Sequence, residues 1–95
     1  MRRASRTDDN HAAIRDGLRE LPGISVADTS DVGNGYPDLT VGWMGVNYLL
    51  EIKDGNKSPS RRQLTPGQDG FHAGWAGQID VVCNLDEALK VLGLM

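Results

Sequence analysis

The sequence predicts an α/β sandwich built from three helices and four strands. Hydrophobic residues recur at spacings of three and four near residues 8–21, as expected of an amphipathic helix. Residues 39–43 and 46–53 are instead rich in Val, Tyr, Leu and Ile, as expected of strands. The predicted order of elements is α-β-β-β-α-β-α, which favours at least one crossover connection.

Size and composition favour a single domain that spans residues 1–95, with a flexible basic tail at 1–6. The hydrophobic fraction of 39% and the charged fraction of 24% are ordinary for a globular fold. Cys83 is the single cysteine, which excludes an internal disulfide and favours a reducing compartment. The sequence has no apolar run near the ~20 residues that cross a bilayer, so we expect a cytoplasmic protein without a membrane partner.

The first half of the chain gives one helix and one short strand before the hairpin. Thr7 or Asp8 is the expected N-cap of the helix at 8–21, and Pro22-Gly23 ends it. The next predicted elements are a strand at 24–27 and a loop or distorted strand end at 28–36.

The strands at 39–43 and 46–53 are predicted to form a hairpin. If the turn has an even length and is centred between Met44 and Gly45, Asp38 lies directly opposite Glu51. An odd-length turn would make that pair diagonal instead. Lys53 shares the face of Glu51, because strand side chains alternate with a period of two.

The second half of the chain begins with a loop at 54–62. Thr65 then caps a helix that runs to about residue 75, with Pro66 at its first position and Gln68 three residues after the cap. A buried strand is predicted at 79–83. Asn84 opens a last helix by the same capping logic, and Gly93 closes it.

Asp38, Glu51 and Lys53 form the candidate site. Like charges placed opposite each other destabilise a sheet, and a divalent cation would compensate for that cost. The two carboxylates and the Ile52 carbonyl offer the oxygen ligands that Mg²⁺ prefers, and Lys53 could orient a water or neutralise charge. The alternative is a plain salt bridge between Lys53 and one of the acids.

Gln68 is the fourth candidate residue. It falls in line with Phe71 and Trp75 at spacings of three and four, so we expect it to point toward the sheet and the site. The alternative is that Gln68 completes a capping box with Thr65. We expect these two roles to require different side-chain geometries.

A basic loop follows the acids, although the net charge is −3. Lys57, Arg61 and Arg62 are the expected contacts to a phosphate backbone, and a solvated loop is the alternative. His11 and Asp9, on the first helix, are candidates for an additional metal ligand, and Asp8 and Asp16 lie nearby. A solvated helix face is the alternative for all four.

Three segments together resemble the PD-(D/E)XK nuclease superfamily: Gly-Tyr-Pro-Asp-Leu, Tyr-Leu-Leu-Glu-Ile-Lys and Gln-Leu-Thr-Pro-Gly-Gln. The resemblance covers about residues 7–93 and is closest to the small stand-alone VRR-NUC domains of phage and bacteria, which are similar to Holliday-junction resolvases. It implies a restriction-endonuclease-like αβββαβ core with a mixed central sheet flanked by helices.

The resemblance also implies dependence on Mg²⁺ or Mn²⁺ and DNA cleavage that leaves 5′-phosphates. It implies that Asp38 and Glu51 bind the metal and that Lys53 and Gln68 complete the catalytic set. Stand-alone members resemble homodimers that act on branched DNA. The sequence departs from the family pattern in one respect, because residues 10–13 lack the first-helix glutamate that often serves as a further ligand.

The leading hypothesis is therefore a metal-dependent, structure-selective DNA endonuclease. The alternatives are a non-catalytic nucleic-acid-binding module that retains the nuclease fold, and a nuclease fold that serves protein assembly.

Overall fold

A computed structural model describes residues 8–57 and 63–95, which form a four-stranded mixed sheet and three helices. The elements are α1 (His11–Arg19), β1 (Ser25–Asp28), β2 (Leu39–Trp43), β3 (Val46–Ile52), α2 (Pro66–Gly74), β4 (Asp80–Val82) and α3 (Leu85–Val91). The predicted α/β class and element order are confirmed. The predicted tail at 1–6 lies outside the described residues. Within the described ranges, no helix has the length and apolar character that a membrane span requires.

The strands lie in the order β1-β2-β3-β4. The pairs β1–β2 and β2–β3 are antiparallel, whereas β3 and β4 are parallel and are joined through α2. The prediction of a buried last strand is wrong for most of β4. Val82 is buried, but Val81 is 45% exposed, because β4 is an edge strand and only one of its faces packs against the core.

The β2–β3 hairpin has the even-length turn that was one of two alternatives. Trp43 pairs with Val46 and Leu39 pairs with Leu50, which leaves Met44 and Gly45 as the two turn residues. Both have positive φ, 51° and 77°, as a type I′ turn requires. This turn matches the right-handed twist of the strands and fixes the register along the whole hairpin.

The two faces of the sheet differ in character. One face packs against α1 and α3 and forms the apolar core, which comprises Ile14, Leu18, Leu39, Val41, Leu50, Ile52, Val82, Ala88 and Leu92. The opposite face carries α2, none of whose residues is fully buried. Because residues alternate along β3, Leu50 and Ile52 enter the core while Leu49 and Glu51 face α2.

The helix boundaries correct one prediction and support two. α1 begins at His11, after Asn10, so neither Asp8 nor Thr7, which lies outside the described residues, is the cap. The Asn10 side chain makes no cap bond either, because its amide donates to the carbonyls of Lys53 and Cys83 at 3.1 Å and 2.7 Å. The caps of α2 and α3 are Thr65 and Asn84, as predicted.

Gly35 allows the segment before β2 and the first turn of α2 to approach each other closely. It has a φ of +80°, and a Cβ there would collide with the backbone carbonyl of Gly67 in the first turn of α2. The Gly-Tyr-Pro-Asp segment and the Thr-Pro-Gly-Gln segment therefore meet through backbone at this point. The approach brings the start of α2 over the acidic end of β3.

Gly35→Ala should destabilise the protein by about 1–3 kcal/mol more than Gly33→Ala, because only the first places a methyl group against rigid backbone. Gly33 is a matched control, since its φ is +87° and no atom lies within 4 Å of its added Cβ. The left-handed conformation alone costs about 1–2 kcal/mol in both variants. Urea unfolding of both measures the difference, and equal losses would contradict the backbone contact.

Candidate functional site

The hairpin register places the two predicted acids side by side. Leu39 pairs with Leu50, and the register continued by one pair puts Asp38 opposite Glu51. Both side chains emerge on the face of the sheet that carries α2. The first prediction about the site geometry, two carboxylates facing each other across neighbouring strands, therefore holds.

Asp38 replaces a backbone partner at the end of the hairpin. Its Oδ2 accepts a hydrogen bond of 2.8 Å from the Ile52 N–H. One pair further, the register places Pro37 opposite Ile52, and proline has no N–H to donate to the Ile52 carbonyl. The Asp38 side chain thus accepts the hydrogen bond of the Ile52 N–H. Pro37 offers no N–H to the Ile52 carbonyl, so this carbonyl has no sheet partner on the strand of Pro37.

Glu51 is a buried carboxyl group with one unpartnered oxygen. Glu51 is 1% exposed, and its Oε2 accepts a hydrogen bond of 3.0 Å from Gln68 Nε2. Oε1 is buried and has no hydrogen-bond partner. Burial, first, and then the neighbouring Asp38 carboxyl raise the pKa of Glu51, and Lys53 offsets only part of that rise, so that the pKa is about 9. The isolated protein therefore favours a protonated Glu51 at neutral pH.

Lys53 follows β3 and is also buried, at 8% exposure. Its N–H donates to the Val82 carbonyl at 3.0 Å, which fixes the backbone against β4. Its Nζ donates to Gln68 Oε1 at 2.8 Å. One of the three ammonium donors is thus committed, and the side chain lines the same cleft as the acids.

Gln68 completes the capping box and points to the predicted site with one geometry, so the expectation that these need different geometries is wrong. Its Oε1 accepts from the Thr65 N–H at 2.9 Å as well as from Lys53, because a carbonyl oxygen has two lone pairs. Its N–H donates to Thr65 Oγ1 at 3.2 Å, which completes the capping box. Its Nε2 remains free to hold Glu51. The helix cap therefore fixes the amide that joins Lys53 to Glu51.

The residues before α1 bring two further acids to the cleft. Asp8 and Asp9 both line it, whereas His11 does not. Burial raises the pKa of Asp8, and the charges of Asp38 and Asp54 add to the rise while Lys53 opposes it. The His11 ring instead contacts Asp28, with 3.0 Å between Nε2 and Oδ2. Asp8 was one of the acids near His11 that the sequence offered for a metal contact, and the Asn10 contacts hold this segment beside the end of β3.

Of the predicted phosphate contacts, only Lys57 lies in the described part of the chain. It lines the cleft, and its Nζ lies 3.4 Å from Asp9 Oδ2. Asp9 is 83% exposed there, so this pair adds little to stability. Arg61 and Arg62 lie outside the described residues.

His72, on α2, is a further residue beside Glu51 and was not among the candidate site residues. Its Nε2 is buried without a hydrogen-bond partner and lies 3.9 Å from Glu51 Oε1. Burial lowers the pKa of His72. The signal was present, because His72 follows Gln68 by four residues and shares its helix face.

These side chains enclose a cleft of about 320 Å³, which is lined by Asp8, Asp9, Asp38, Glu51, Ile52, Lys53, Lys57, Thr65 and Gln68. Among residues 8–57 and 63–95, no group of three His, Cys, Asp or Glu side chains is arranged to hold an ion. Mg²⁺ needs less from a protein, since one or two carboxylates and several waters suffice. The unpartnered Glu51 Oε1, the Asp38 carboxylate and the Ile52 carbonyl are oxygen donors of the type that it prefers.

Comparisons with known proteins give little further information. No protein-family model and no solved structure match the chain. The chain is similar to the iron-regulated outer membrane virulence protein of Vibrio cholerae serotype O1, in two strains, ATCC 39541 and ATCC 39315. The identity is 31% over 71 residues, which cover 73% of this chain and 10% of each relative. The chain thus spans about a tenth of the length of these relatives.

The raised pKa of Glu51 predicts a pH dependence of stability in metal-free solution. The stabilisation of the folded state by the protonated carboxyl is complete below the ordinary pKa of about 4.5 and is lost as the pH rises toward about 9. In that range the unfolded chain releases the proton that the folded chain retains. The Glu51→Gln variant has no carboxyl that titrates at this position. Its free energy of unfolding should therefore increase relative to that of the wild type as the pH rises through this range.

Urea unfolding of both proteins with EDTA, at several values between pH 5 and pH 9, measures this difference. A constant difference in unfolding free energy across the range would contradict the buried, protonated carboxyl.

Proposed function

We propose that this chain is a metal-dependent DNA endonuclease with a restriction-endonuclease-like core. The observation that carries the proposal is the facing pair of the half-buried Asp38 and the buried Glu51, which lines a polar cleft beside the buried Lys53. Two facing acids and a lysine raise the free energy of a fold unless they bind something. A divalent cation and a phosphate together supply the charges that balance them.

The residues of the cleft fit the requirements of phosphodiester hydrolysis. Asp38, Glu51 and the Ile52 carbonyl would hold Mg²⁺ or Mn²⁺, and Asp8 lines the same cleft. A bound cation would supply charge neutralisation for the phosphate and a water of lowered pKa. Lys53, held by Gln68, would orient the attacking water and stabilise the negative charge that develops on the phosphate.

The mouth of the cleft would bind the DNA backbone. Lys57 lines it, and its contact with the exposed Asp9 is weak enough to be exchanged for a phosphate. Arg61 and Arg62 stand close to it in sequence and are proposed to extend this phosphate contact.

The finer assignments rest on the resemblance to stand-alone VRR-NUC domains. They are a selectivity for branched DNA such as Holliday junctions, 5′-phosphate products, a homodimer and a location in the cytoplasm. A two-fold dimer would place two clefts on two symmetric strands, which suits a four-way junction.

One observation favours a second candidate, a nucleic-acid-binding module without catalysis. Residues 10–13 lack the glutamate that the nucleases this chain resembles often carry as a further ligand. If the cleft only binds phosphates, DNA affinity would fall steeply with salt and no divalent cation would produce cleavage.

The endonuclease proposal predicts that Mg²⁺ or Mn²⁺ supports cutting of synthetic four-way junctions, and that Asp38→Ala and Lys53→Ala each reduce the rate by about 10²–10³-fold or more. Each variant removes a group that stabilises charge in the transition state. Labelled-strand gels of junction, duplex and single-stranded DNA measure the rates.

The matched controls are Asp86→Ala and Lys90→Ala, on the exposed surface of α3 away from the cleft, which should cut at the wild-type rate. Circular dichroism establishes that all four variants fold. Equal cutting by the wild type and both cleft variants would exclude the assigned roles, and an absence of cutting with binding retained would support the second candidate.

A further inference from the structure

Three aromatic side chains form a connected cluster beside the cleft, on the same face of the sheet. The Tyr36 and Phe71 rings meet edge to face, with 5.5 Å between centroids. Phe71 and Trp75 are stacked, with 5.1 Å between centroids and an interplanar angle of 18°. We call Tyr36, Phe71 and Trp75 the aromatic cluster.

Trp75 is both exposed and held in place. It is 43% exposed although it belongs to this stack. A Cβ added at Gly77 would lie 2.9 Å from Trp75 Nε1, so the indole also packs closely on the Gly77 backbone. An exposed indole fixed on two sides loses little conformational freedom when a flat ligand packs against it.

The exposed indole borders a pocket of about 350 Å³. Its lining residues are Tyr36, Thr40, Asn47, Leu49, Trp75, Gly77 and Gln78. The Gln78 amide is committed to the backbone of Leu49 and to Asp80. The Asn47 amide has no hydrogen-bond partner within the described part of the chain, and it can both donate and accept at the pocket.

The pocket and the acidic cleft are adjacent on one surface. Leu49 precedes Glu51 by two residues on the same face of β3, a separation of about 7 Å. Thr40, on β2, likewise lies two residues from Asp38 and on the same face. α2 runs from Gln68, at the cleft, to its C-cap Trp75, at the pocket. This separation is comparable to the reach of one nucleotide from its phosphate to its base.

We propose that this pocket receives the base of an unpaired nucleotide whose neighbouring phosphate lies at the acidic cleft, an inference that rests on the proposed function. The base packs against the exposed indole of Trp75, and Asn47 bonds to its edge. A base inside a duplex is stacked and paired and cannot enter such a pocket without leaving the helix. The pocket therefore selects DNA with an unpaired nucleotide beside the cleavage position.

The test uses Trp75 as its own reporter, in a Trp43→Phe background that removes the other tryptophan. Oligothymidylate is added to the whole protein in EDTA, so that binding is measured without metal or cleavage. Quenching of Trp75 emission is expected with oligothymidylate but not with an abasic oligonucleotide of equal length, which retains the phosphates and lacks the bases.

Trp75→Ala, in the otherwise wild-type chain, should weaken oligothymidylate binding by about tenfold, as measured by anisotropy, with blunt duplex binding unchanged. Gly77→Ala is a second variant, because its methyl group displaces the indole while the aromatic side chain stays. It should reduce binding in the same direction, and circular dichroism checks that both variants fold.

Three results would each overturn the proposal that a base binds in this pocket. They are unchanged Trp75 emission at saturating oligothymidylate, equal quenching by the abasic oligonucleotide, and full affinity in a folded Trp75→Ala variant. None of these results bears on metal-dependent cutting, which the junction assay decides separately. Quenching without cutting would retain the pocket and reject the nuclease.

Discussion

The placement of Asp38 opposite Glu51, on neighbouring strands, is the constraint on which the rest of the site depends. The two-residue turn at Met44 and Gly45 fixes their register, and burial deprives Glu51 of water. Gln68 then donates one hydrogen bond to Glu51 and accepts one from Lys53, so that the carboxyl and the ammonium group are held by the same amide. One Glu51 oxygen still has no partner. A fold that keeps such a group buried gives up stability for a site with a fixed geometry.

The two faces of the sheet differ in role, because one forms the hydrophobic core and the other carries the candidate site. The apolar side chains of β2, β3 and β4 pack with α1 and α3, whereas alternate side chains of β2 and β3 line the opposite face, at the cleft and at the pocket beside Trp75. α2 adds little to the core and instead contributes Gln68, His72 and Trp75 to the polar face. Gly35 permits its close approach. Substitutions in α2 should therefore alter the site more than the stability of the domain.

Local and periodic features were predictable from the sequence. The hairpin arithmetic gave the Asp38–Glu51 register, and the Thr65 and Asn84 caps gave the starts of two helices, because these depend on residues a few positions apart. Features that depend on distant contacts were not predictable. The Asn10 side chain does not cap α1, because its amide donates to carbonyls 43 and 73 residues away. Asp8, two residues before it, lines the cleft. The exposure of Val81 likewise follows from the edge position of β4.

Calorimetric titration of the metal-free protein with Mn²⁺, repeated in two buffers of different ionisation enthalpy, tests the central claim that the acid pair binds a divalent cation. A cation that binds here must displace the proton that burial and Asp38 keep on Glu51. The account predicts uptake of Mn²⁺ with release of about one proton at neutral pH, and no uptake in the folded Asp38→Ala variant. Mn²⁺ binding that is equal in that variant, or an absence of binding in the wild type, would contradict it.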